Sequence, residues 1–303
     1  MLIGHQKQWQ FLKNCYEIKK LSHAYLFSGP EHIGKKTLAV EFVKFLNCEA
    51  KKSSLKPCQA CRSCKDVEKE VYPDFLLIKA EKEIRISQIR KMENYFSLYP
   101  SLSSFKIAII DKAHSMTQEA QNSFLKTLEE PKGNALFILI SEYPEMLLPT
   151  ILSRVQRINF HPVKKEEIED YIRSKNISNE KAREIVELSL GRIGETIDLI
   201  RNPQKLEEFK NRIKEINQLA KSDLSYRFQY VKNLTEKNNN LPEVLDIWLR
   251  YFRKKLLLAA KSRANDSLVK LKRIIENISK TQLLISTTNV NPKLALEIII
   301  LDL

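Results

Sequence analysis

Two short motifs in the first half of the chain have the residue types and spacing of a nucleotide site. Residues 29–35 read GPEHIGK and match the pattern G-x-x-x-x-G-K, in which backbone N–H groups hold phosphates and the lysine, here Lys35, reaches the β and γ phosphates. The segment IAIID ends on Asp111 and is typical of a strand that carries a carboxylate toward Mg²⁺. Together they predict a phosphate loop, with Gly29 and Gly34 as its glycines, opposite an acidic residue.

Both motifs lack a group that ATP hydrolysis requires. The residue after Lys35 usually carries a hydroxyl that binds Mg²⁺, but this chain has Lys36 there. Thr37 comes one residue later, which on a helix rotates a side chain by about 100°. Lys112 follows Asp111 where an active ATPase has a glutamate that polarises the attacking water, and an ammonium group cannot act as that base at neutral pH. Hydrolysis by this chain alone is not expected, and binding of ATP with Mg²⁺ stays in doubt.

Four cysteines form the spacing C-x9-C-x2-C-x2-C directly after the helix that follows the phosphate loop. Cys48, Cys58, Cys61 and Cys64 suit a tetrahedral structural Zn²⁺ with no open position for catalysis. Disulfides are the alternative, which a reducing cytosol disfavours, and an iron–sulfur cluster is not excluded by spacing alone. Cys15 lies apart and is expected to be a buried core thiol.

Apolar patterns place these motifs in an α/β domain. Near-continuous apolar segments separated by helical patterns indicate a parallel sheet covered on both faces. After residue 161 the sequence shows no convincing strand. Three short helices are predicted for about 164–202, and long amphipathic helices follow, the last with Asn291 as its N-cap and Pro292 as its first residue. The predicted strands lie near 24–27, 75–78, 107–110, 136–140 and 155–160.

The composition is that of a soluble globular chain with a basic surface. Of its 303 residues 43% are hydrophobic and 29% charged, and the formal net charge is +14. This charge favours an anionic partner, most commonly nucleic acid, although a merely basic surface is the alternative because Lys and Arg are spread along the chain. No apolar run approaches the roughly 20 residues of a membrane helix, and the N-terminus lacks the apolar core of a signal peptide. A cytoplasmic protein without a membrane partner is expected.

The ordered combination of motifs resembles the bacterial clamp-loader AAA+ ATPases. The phosphate loop, the cysteine insertion, IIDKAHSMT at 109–117 and LKTLEEP at 125–131 carry the resemblance. LPTILSRV at 148–155 is similar to the family's Ser-Arg-Cys segment, with Val155 in place of the Cys. The resemblance implies an α/β P-loop (AAA+/RecA-like) parallel-sheet domain, a small helical lid domain and an all-helical C-terminal collar or oligomerisation domain. The predicted bounds are 1–161 with a zinc-binding insertion at 48–64, 162–203, and 204–303.

Departures from the family pattern distinguish two kinds of subunit. The motor subunit, gamma/tau, has an intact P-loop, an Asp-Glu pair and a sensor-2 arginine, whereas Gly194 stands here at the arginine position, with Arg192 nearby leaving that point open. The pattern resembles the delta-prime, or stator, class of DNA polymerase III. By analogy, Arg154 acts in trans as an arginine finger on a neighbour's ATP; a surface salt bridge is the alternative. Ser141 lies near the sensor-1 position, where an ordinary strand-end hydroxyl is equally compatible.

The resemblance implies a task within an assembly that belongs to a DNA-directed DNA polymerase complex. A stator would help load the sliding clamp on primed DNA, with the delta and gamma/tau subunits as partners and the clamp and primer-template DNA reached through the complex. Two other hypotheses stay open. Metal-dependent ATP turnover that Lys35→Ala abolishes would favour an active gamma/tau-like ATPase. Salt-dependent DNA binding that Cys58→Ser abolishes would favour a zinc-containing DNA-binding adaptor of repair or recombination.

Overall fold

The computed structural model describes residues 2–52, 55–80, 82–97, 100, 102, 105–131, 133–175, 177–236, 240–261, 265–287 and 290–303. The strands within these residues are β1 (Ala24–Ser28), β2 (Phe75–Ile78), β3 (Lys106–Ile110), β4 (Ala135–Ser141) and β5 (Gln156–Asn159). They form one parallel sheet in the order β2-β3-β4-β1-β5. Each predicted strand is confirmed, with its ends shifted by at most one residue.

Helices cover both faces of the sheet, as the apolar strand pattern predicts. On one face, Phe27 of β1 packs in a buried cluster with Phe42 and Phe45. On the other face, Phe137 of β4 packs with Phe124, with the two ring centroids 5.4 Å apart. Each fully buried side chain of this size stabilises the fold by about 1.5–3 kcal/mol, so these clusters hold the sheet that positions the site. The helices are α1 (Gln6–Glu17), α2 (Lys35–Asn47), α3 (Arg62–Glu68), α4 (Ile86–Ser97), α5 (Gln118–Glu129) and α6 (Pro149–Leu152).

The carboxyl edge of the sheet gathers the ends of three neighbouring strands. Because β4 lies between β1 and β3, Ser141 at the end of β4 comes between Gly29, which follows β1, and Asp111, which follows β3. The Gly29 N–H donates a hydrogen bond to the Ser141 carbonyl oxygen at 3.2 Å. Ligands of open α/β sheets bind outside this edge, so strand order alone brings the two sequence motifs to one place.

In the part of the chain that the structure describes, the sheet is followed by helices. The chain divides into two compact units, Met1–Ile197 and Asp198–Leu303. The finer division into three domains, with bounds at 161 and 203, stays a prediction. No helix among the described residues is long and apolar enough to cross a membrane. The helices are α7 (Lys165–Arg173), α8 (Asn179–Ser189), α9 (Ile193–Arg201), α10 (Pro203–Leu219), α11 (Leu224–Glu236), α12 (Leu241–Lys261), α13 (Asn265–Thr287) and α14 (Pro292–Asp302).

The C-terminal unit has a hydrophobic core of its own. Trp248 of α12 is fully buried in a cluster that includes Leu245 and Leu296. The last helix begins as predicted, since Pro292 is its first residue and the Asn291 side chain accepts a hydrogen bond from the Lys293 N–H at 3.0 Å. The apolar stripes of the long helices therefore contribute to a core within this unit.

Candidate nucleotide site and cysteine cluster

The loop between β1 and α2 requires glycine at two positions. Gly29 has φ +147°, and a Cβ there would lie 2.4 Å from the Phe160 carbonyl oxygen. Gly34 is the N-cap of α2 with φ +101°. Glycine tolerates such φ values, which other residues rarely adopt. The loop is also tied to the chain before α1, because His5 Nε2 donates to the Ile33 carbonyl oxygen at 2.6 Å. The sequence therefore folds locally into a tight turn before a helix N-terminus, the geometry that holds phosphate.

Lys35 lies inside this loop and is only 6% exposed. Its Nζ donates to the Gly29 carbonyl oxygen at 2.6 Å and also to the Pro30 carbonyl oxygen. Burial lowers the pKa of Lys35 to about 8, although the charges of Glu142 and Glu31 raise it. Most Lys35 side chains are therefore still charged at pH 7. The glycine turn and the lysine donor fit the phosphate groups of a nucleotide.

The residues around Asp111 do not fit a magnesium ion. Lys36 Nζ lies 3.0 Å from Asp111 Oδ2, so an ammonium group pairs with the carboxylate that would face the metal. An ammonium group has no lone pair to offer a cation. Thr37, one residue further along α2, is exposed. The structure thus gives a contact behind the sequence-based expectation that metal ligation is impaired.

Lys112, at the position where the sequence analysis expects the glutamate of an active ATPase, pairs with the phosphate loop. Its Nζ lies 2.8 Å from Glu31 Oε1. Burial opposes the charge of Lys112, but the hydrogen bond and charge of Glu31 raise its pKa. Burial likewise raises the pKa of Glu31, and Lys112 outweighs it and lowers that pKa. Both groups stay charged at neutral pH, so Lys112 cannot accept a proton from water there.

His114 and Ser141 meet at the end of β4, beside the loop. His114 Nδ1 lies 3.2 Å from Ser141 Oγ, and Ser141 is 1% exposed. Burial lowers the pKa of His114 to about 4, against the opposing charge of Glu31. The imidazole is therefore neutral at physiological pH. Ser141 has a side-chain partner of its own, and its sensor-1 role stays a prediction.

Gly194, which the family resemblance predicts at the sensor-2 position, lies against the backbone of the phosphate loop. The Gly194 N–H donates to the His32 carbonyl oxygen at 2.7 Å, and a Cβ on Gly194 would lie 2.8 Å from that oxygen. A residue with a side chain would need this contact to shift. Arg192 is 5% exposed, and its charge lowers the pKa of Lys35. An arginine is thus electrostatically close to the loop, two residues before the position named from the sequence.

Arg154 follows α6 and is bound on both sides of its guanidinium. Its Nη2 lies 2.7 Å from Glu129 Oε1, and its Nη1 donates to the Thr150 carbonyl oxygen at 3.1 Å and to Ser153 Oγ at 3.2 Å. The arginine side chain is 38% exposed and that of Glu129 is 50% exposed. These contacts orient a partly exposed guanidinium, and its action on a neighbour stays a prediction.

The four cysteines of the insertion converge on one point. Their Sγ atoms all lie within 4.8 Å of one another, and they are free thiols. The N–H of Cys58 donates to Cys48 Sγ at 3.4 Å, that of Cys61 to Cys58 Sγ at 3.3 Å, and that of Cys64 to Cys61 Sγ at 3.4 Å. The N–H groups of Ala60 and Cys61 lower the pKa of Cys58 to about 6, whereas burial raises the pKa of Cys64. The cluster could hold a metal ion in tetrahedral thiolate coordination.

A buried lysine anchors the insertion to α2. Lys44 is 3% exposed, and its Nζ lies 2.7 Å from Glu68 Oε2, 3.0 Å from Gln59 Oε1 and 3.0 Å from Glu41 Oε1. Gln59 belongs to the cysteine loop and Glu68 to α3. One side chain therefore links three parts of the chain around the cluster. Residues 53 and 54 of the insertion lie outside the described residues.

The sequence named most of the candidate nucleotide site, including the carboxylate of Asp111, but missed other carboxylates of this unit. Gly29, Gly34, Lys35 and Asp111 lie together as expected, while their role in binding stays a prediction. Glu31, Glu142 and Glu129 were not singled out. The only sequence signal for Glu31 is its place inside the loop motif, since the partner of a charged side chain is set by the fold.

The fold and the site define a P-loop protein of the AAA+ class. A family model described as DNA polymerase III, delta subunit, matches residues 4–164, more than half of the chain. The chain belongs to this family, that of the DNA polymerase III delta' subunits.

Individual relatives support this placement. The chain is 36% identical over 196 residues to DNA polymerase III subunit delta' of Bacillus subtilis, covering 64% of this chain and 59% of that protein. It is also 36% identical over 167 residues to subunit tau of the same organism, covering 55% of this chain and 30% of tau. The matched region is thus less than two thirds of either relative. A gamma subunit-related protein of Thermotoga maritima shares the fold, with a TM-score of 0.50, 21% identity and 97% of each chain covered.

Proposed function

We propose that this chain is a stator subunit of the clamp loader of the DNA polymerase III holoenzyme, and that neighbouring subunits supply the ATP hydrolysis. The proposal is supported by the family and by the identity to delta' relatives. The observation that carries it is the pair of lysine contacts in the nucleotide site. Lys36 pairs with Asp111 at 3.0 Å, and Lys112 pairs with Glu31 at 2.8 Å. Each ammonium stands where hydrolysis needs a metal ligand or a base.

Arg154 is proposed to act on ATP bound by the adjoining subunit. Its guanidinium is 38% exposed and is oriented by Glu129 and by the carbonyl oxygen of Thr150. A guanidinium that reaches the γ-phosphate stabilises the charge that develops during phosphoryl transfer, and such a residue is worth roughly 10³–10⁵ in rate. The chain's own site lacks the water-activating group, so this contribution would be made in trans.

The test is the ATPase rate of the assembly reconstituted with its partner subunits, sliding clamp and primed DNA. Arg154→Ala is expected to remove the share of total turnover that comes from the adjoining site, because that site loses roughly 10³-fold or more. Arg154→Lys is expected to recover only part of it, since an ammonium lacks the planar fork of guanidinium. Arg173→Ala, at a 67% exposed arginine of α7, is the matched control. Unchanged ATP turnover in an intact Arg154→Ala assembly would show that Arg154 does not act on ATP of the adjoining subunit.

The partners proposed are the delta and gamma/tau subunits, with the clamp and primer-template DNA reached through the complex, in the cytoplasm. Part of the C-terminal unit supports a role in association. Leu294, Ile298 and Leu301 are 59%, 56% and 60% exposed and follow an i, i+4, i+7 spacing on α14. An apolar stripe of this kind is typical of a helix that packs against another surface. The net charge of +14 is compatible with an anionic partner.

The metal of the cysteine cluster is proposed to be a structural Zn²⁺. Four thiolates satisfy its tetrahedral preference and leave no position for a reacting water. The backbone N–H donors to sulfur, at 3.3–3.4 Å, stabilise the deprotonated ligands that zinc requires. Metal analysis of purified chain is expected to give one zinc per chain; iron with sulfide would favour a cluster instead.

An active gamma/tau-like ATPase is the second candidate, because the identity to tau, 36%, equals the identity to delta'. The purified chain alone separates the two candidates. A motor subunit would release phosphate from ATP in a magnesium-dependent way, and Lys35→Ala would abolish it. The stator proposal expects no release above a background measured with Lys35→Ala. Salt-dependent DNA binding by the isolated chain that Cys58→Ser removes would favour a DNA-binding adaptor instead.

A further inference from the structure

Lys36 does more than replace a metal-binding hydroxyl, because its ammonium group lies directly beside Asp111. Lys36 lies in the first turn of α2, directly after the phosphate-loop lysine, and its Nζ is 3.0 Å from Asp111 Oδ2. In a working site of this class, a hydroxyl at this position and the strand-end aspartate hold Mg²⁺ beside the phosphates. Here a positive charge carried by the chain itself occupies the side of the aspartate that would face the ion.

The rest of the loop keeps the features that bind phosphate. Among the described residues, no acidic side chain lies in the first turn of α2, and its N-cap, Gly34, provides no side-chain acceptor for the helix N–H groups. Lys35, a residue that is only 6% exposed, adds an ammonium that donates to the Gly29 carbonyl oxygen at 2.6 Å inside the loop. A helix N-terminus with a buried lysine beside it favours an anion.

We propose that the Lys36 ammonium takes the place of magnesium, so that this loop binds the polyphosphate group of a nucleotide without a divalent cation. The ammonium bridges Asp111 to the phosphate oxygens by donating hydrogen bonds to both. A Mg²⁺ ion bound to the nucleotide would lie close to the Lys36 ammonium. Because the two cations repel each other, magnesium weakens nucleotide binding. The inference concerns this chain's own site and does not depend on a stator role.

The charge balance of the site agrees with an intrinsic cation. The site holds four cationic and three anionic side chains, which leaves one net positive charge: Lys35, Lys36, Lys112 and Arg192 against Glu31, Asp111 and Glu142. Because one ammonium carries half the charge of Mg²⁺, binding is expected to be weaker than in an active ATPase. It is also expected to weaken with salt, since the Lys36 side chain is 40% exposed.

The test measures ATP binding to the full chain by calorimetry, once in magnesium-free buffer and once in millimolar magnesium, with no chelator present so that the cysteine cluster keeps any metal it holds. The natural chain is expected to bind ATP in magnesium-free buffer and to bind it no more tightly, or more weakly, with magnesium. Lys36→Thr restores a hydroxyl at this position and is expected to reverse the order, with magnesium strengthening binding by about tenfold, equal to about 1.4 kcal/mol. Lys36→Met removes the charge without adding a ligand and is expected to weaken binding in both buffers.

Several outcomes would overturn the proposal. They are tighter binding of ATP to the natural chain with magnesium than in magnesium-free buffer, absence of binding in both buffers, and unchanged binding by Lys36→Met. Inorganic tripolyphosphate is expected to compete with ATP; failure to compete would show that the loop does not hold the phosphates. Thermal unfolding of each variant checks that it folds. These binding measurements do not depend on ATP turnover by neighbouring subunits. The proposal for Lys36 and the proposed role of Arg154 can therefore be refuted separately.

Discussion

The candidate nucleotide site and the cysteine cluster lie in the same N-terminal unit, but they differ in the groups that contact their acidic side chains. In the nucleotide site, Asp111 and Glu31 are paired with the ammonium groups of Lys36 and Lys112 at 3.0 and 2.8 Å. In the cysteine cluster, four sulfur atoms within 4.8 Å of one another receive backbone N–H groups, which carry no net charge. The first site therefore has cations of its own beside its carboxylates, whereas the four thiols of the second could bind a metal ion.

The largest expected effect separates the two sites by metal removal. A strong zinc chelator is expected to lower the thermal midpoint, because the loss of an ion present at a thousandfold its dissociation constant removes about 4 kcal/mol of stabilisation. Removal of magnesium alone, in magnesium-free buffer without a chelator, is expected to leave the thermal midpoint unchanged. Calorimetric unfolding and metal analysis before and after chelation measure both effects.

Cysteine variants give the matched comparison for metal removal. Cys64→Ser, at 1% exposure, is expected to lose both zinc and stability, whereas Cys15→Ala, at 9% exposure and outside the cluster, keeps its zinc. A natural chain that contains no metal, or a Cys64→Ser variant that keeps a full complement of zinc, would contradict the proposed difference between the two sites.

Acid is expected to lower the free energy of unfolding through His114, which lies beside the phosphate loop. Burial lowers the pKa of His114 from 6.5 to about 4, so the unfolded chain binds this proton more readily than the folded chain. The contribution of neutral His114 to the free energy of unfolding is fully present above pH 6.5. It is lost as the pH falls from 6.5 toward 4, by up to about 3 kcal/mol. Urea unfolding at pH 7 and pH 4.5 is expected to show a smaller difference for His114→Gln than for the natural chain. His161→Gln, at an exposed histidine, is the control, and equal acid sensitivity of both variants would remove His114 from the explanation.

The smallest expected effect is the removal of Lys112. Its pair with Glu31 is partly exposed, at 53% and 35%, and such pairs contribute about 0–1 kcal/mol. Lys112→Met is expected to change the free energy of unfolding by no more than this, as measured by urea titration. Lys79→Met is the matched control, since Lys79 pairs with Glu70 at 2.7 Å on a similarly exposed surface. A loss of unfolding free energy several times larger for Lys112→Met than for Lys79→Met would contradict this expectation. It would mean that the pair of Lys112 with Glu31 stabilises the phosphate loop.

Strands and motifs were predictable because their signals are local. The apolar runs that end on Asp111 and on Ser141 identify β3 and β4 within one residue, since a buried parallel strand reads as a continuous apolar segment. The loop glycines were predictable for the same reason, because Gly29 and Gly34 occupy turns that few other residues adopt. The strand order β2-β3-β4-β1-β5 was not predicted, since it depends on which distant strands pair.

The sequence by itself determined the type of each group: a lysine where a hydroxyl is needed, a lysine where a carboxylate is needed, four cysteines at metal-ligand spacing and an arginine in the segment LPTILSRV. Tertiary structure alone decided their partners. Lys36 meets Asp111 only because β1 and β3 flank β4, and Arg154 meets Glu129 only because α5 ends beside α6. The physical reason is that residue type sets charge and donor chemistry, whereas a contact across 25 or more residues depends on the packing of the whole sheet and its helices.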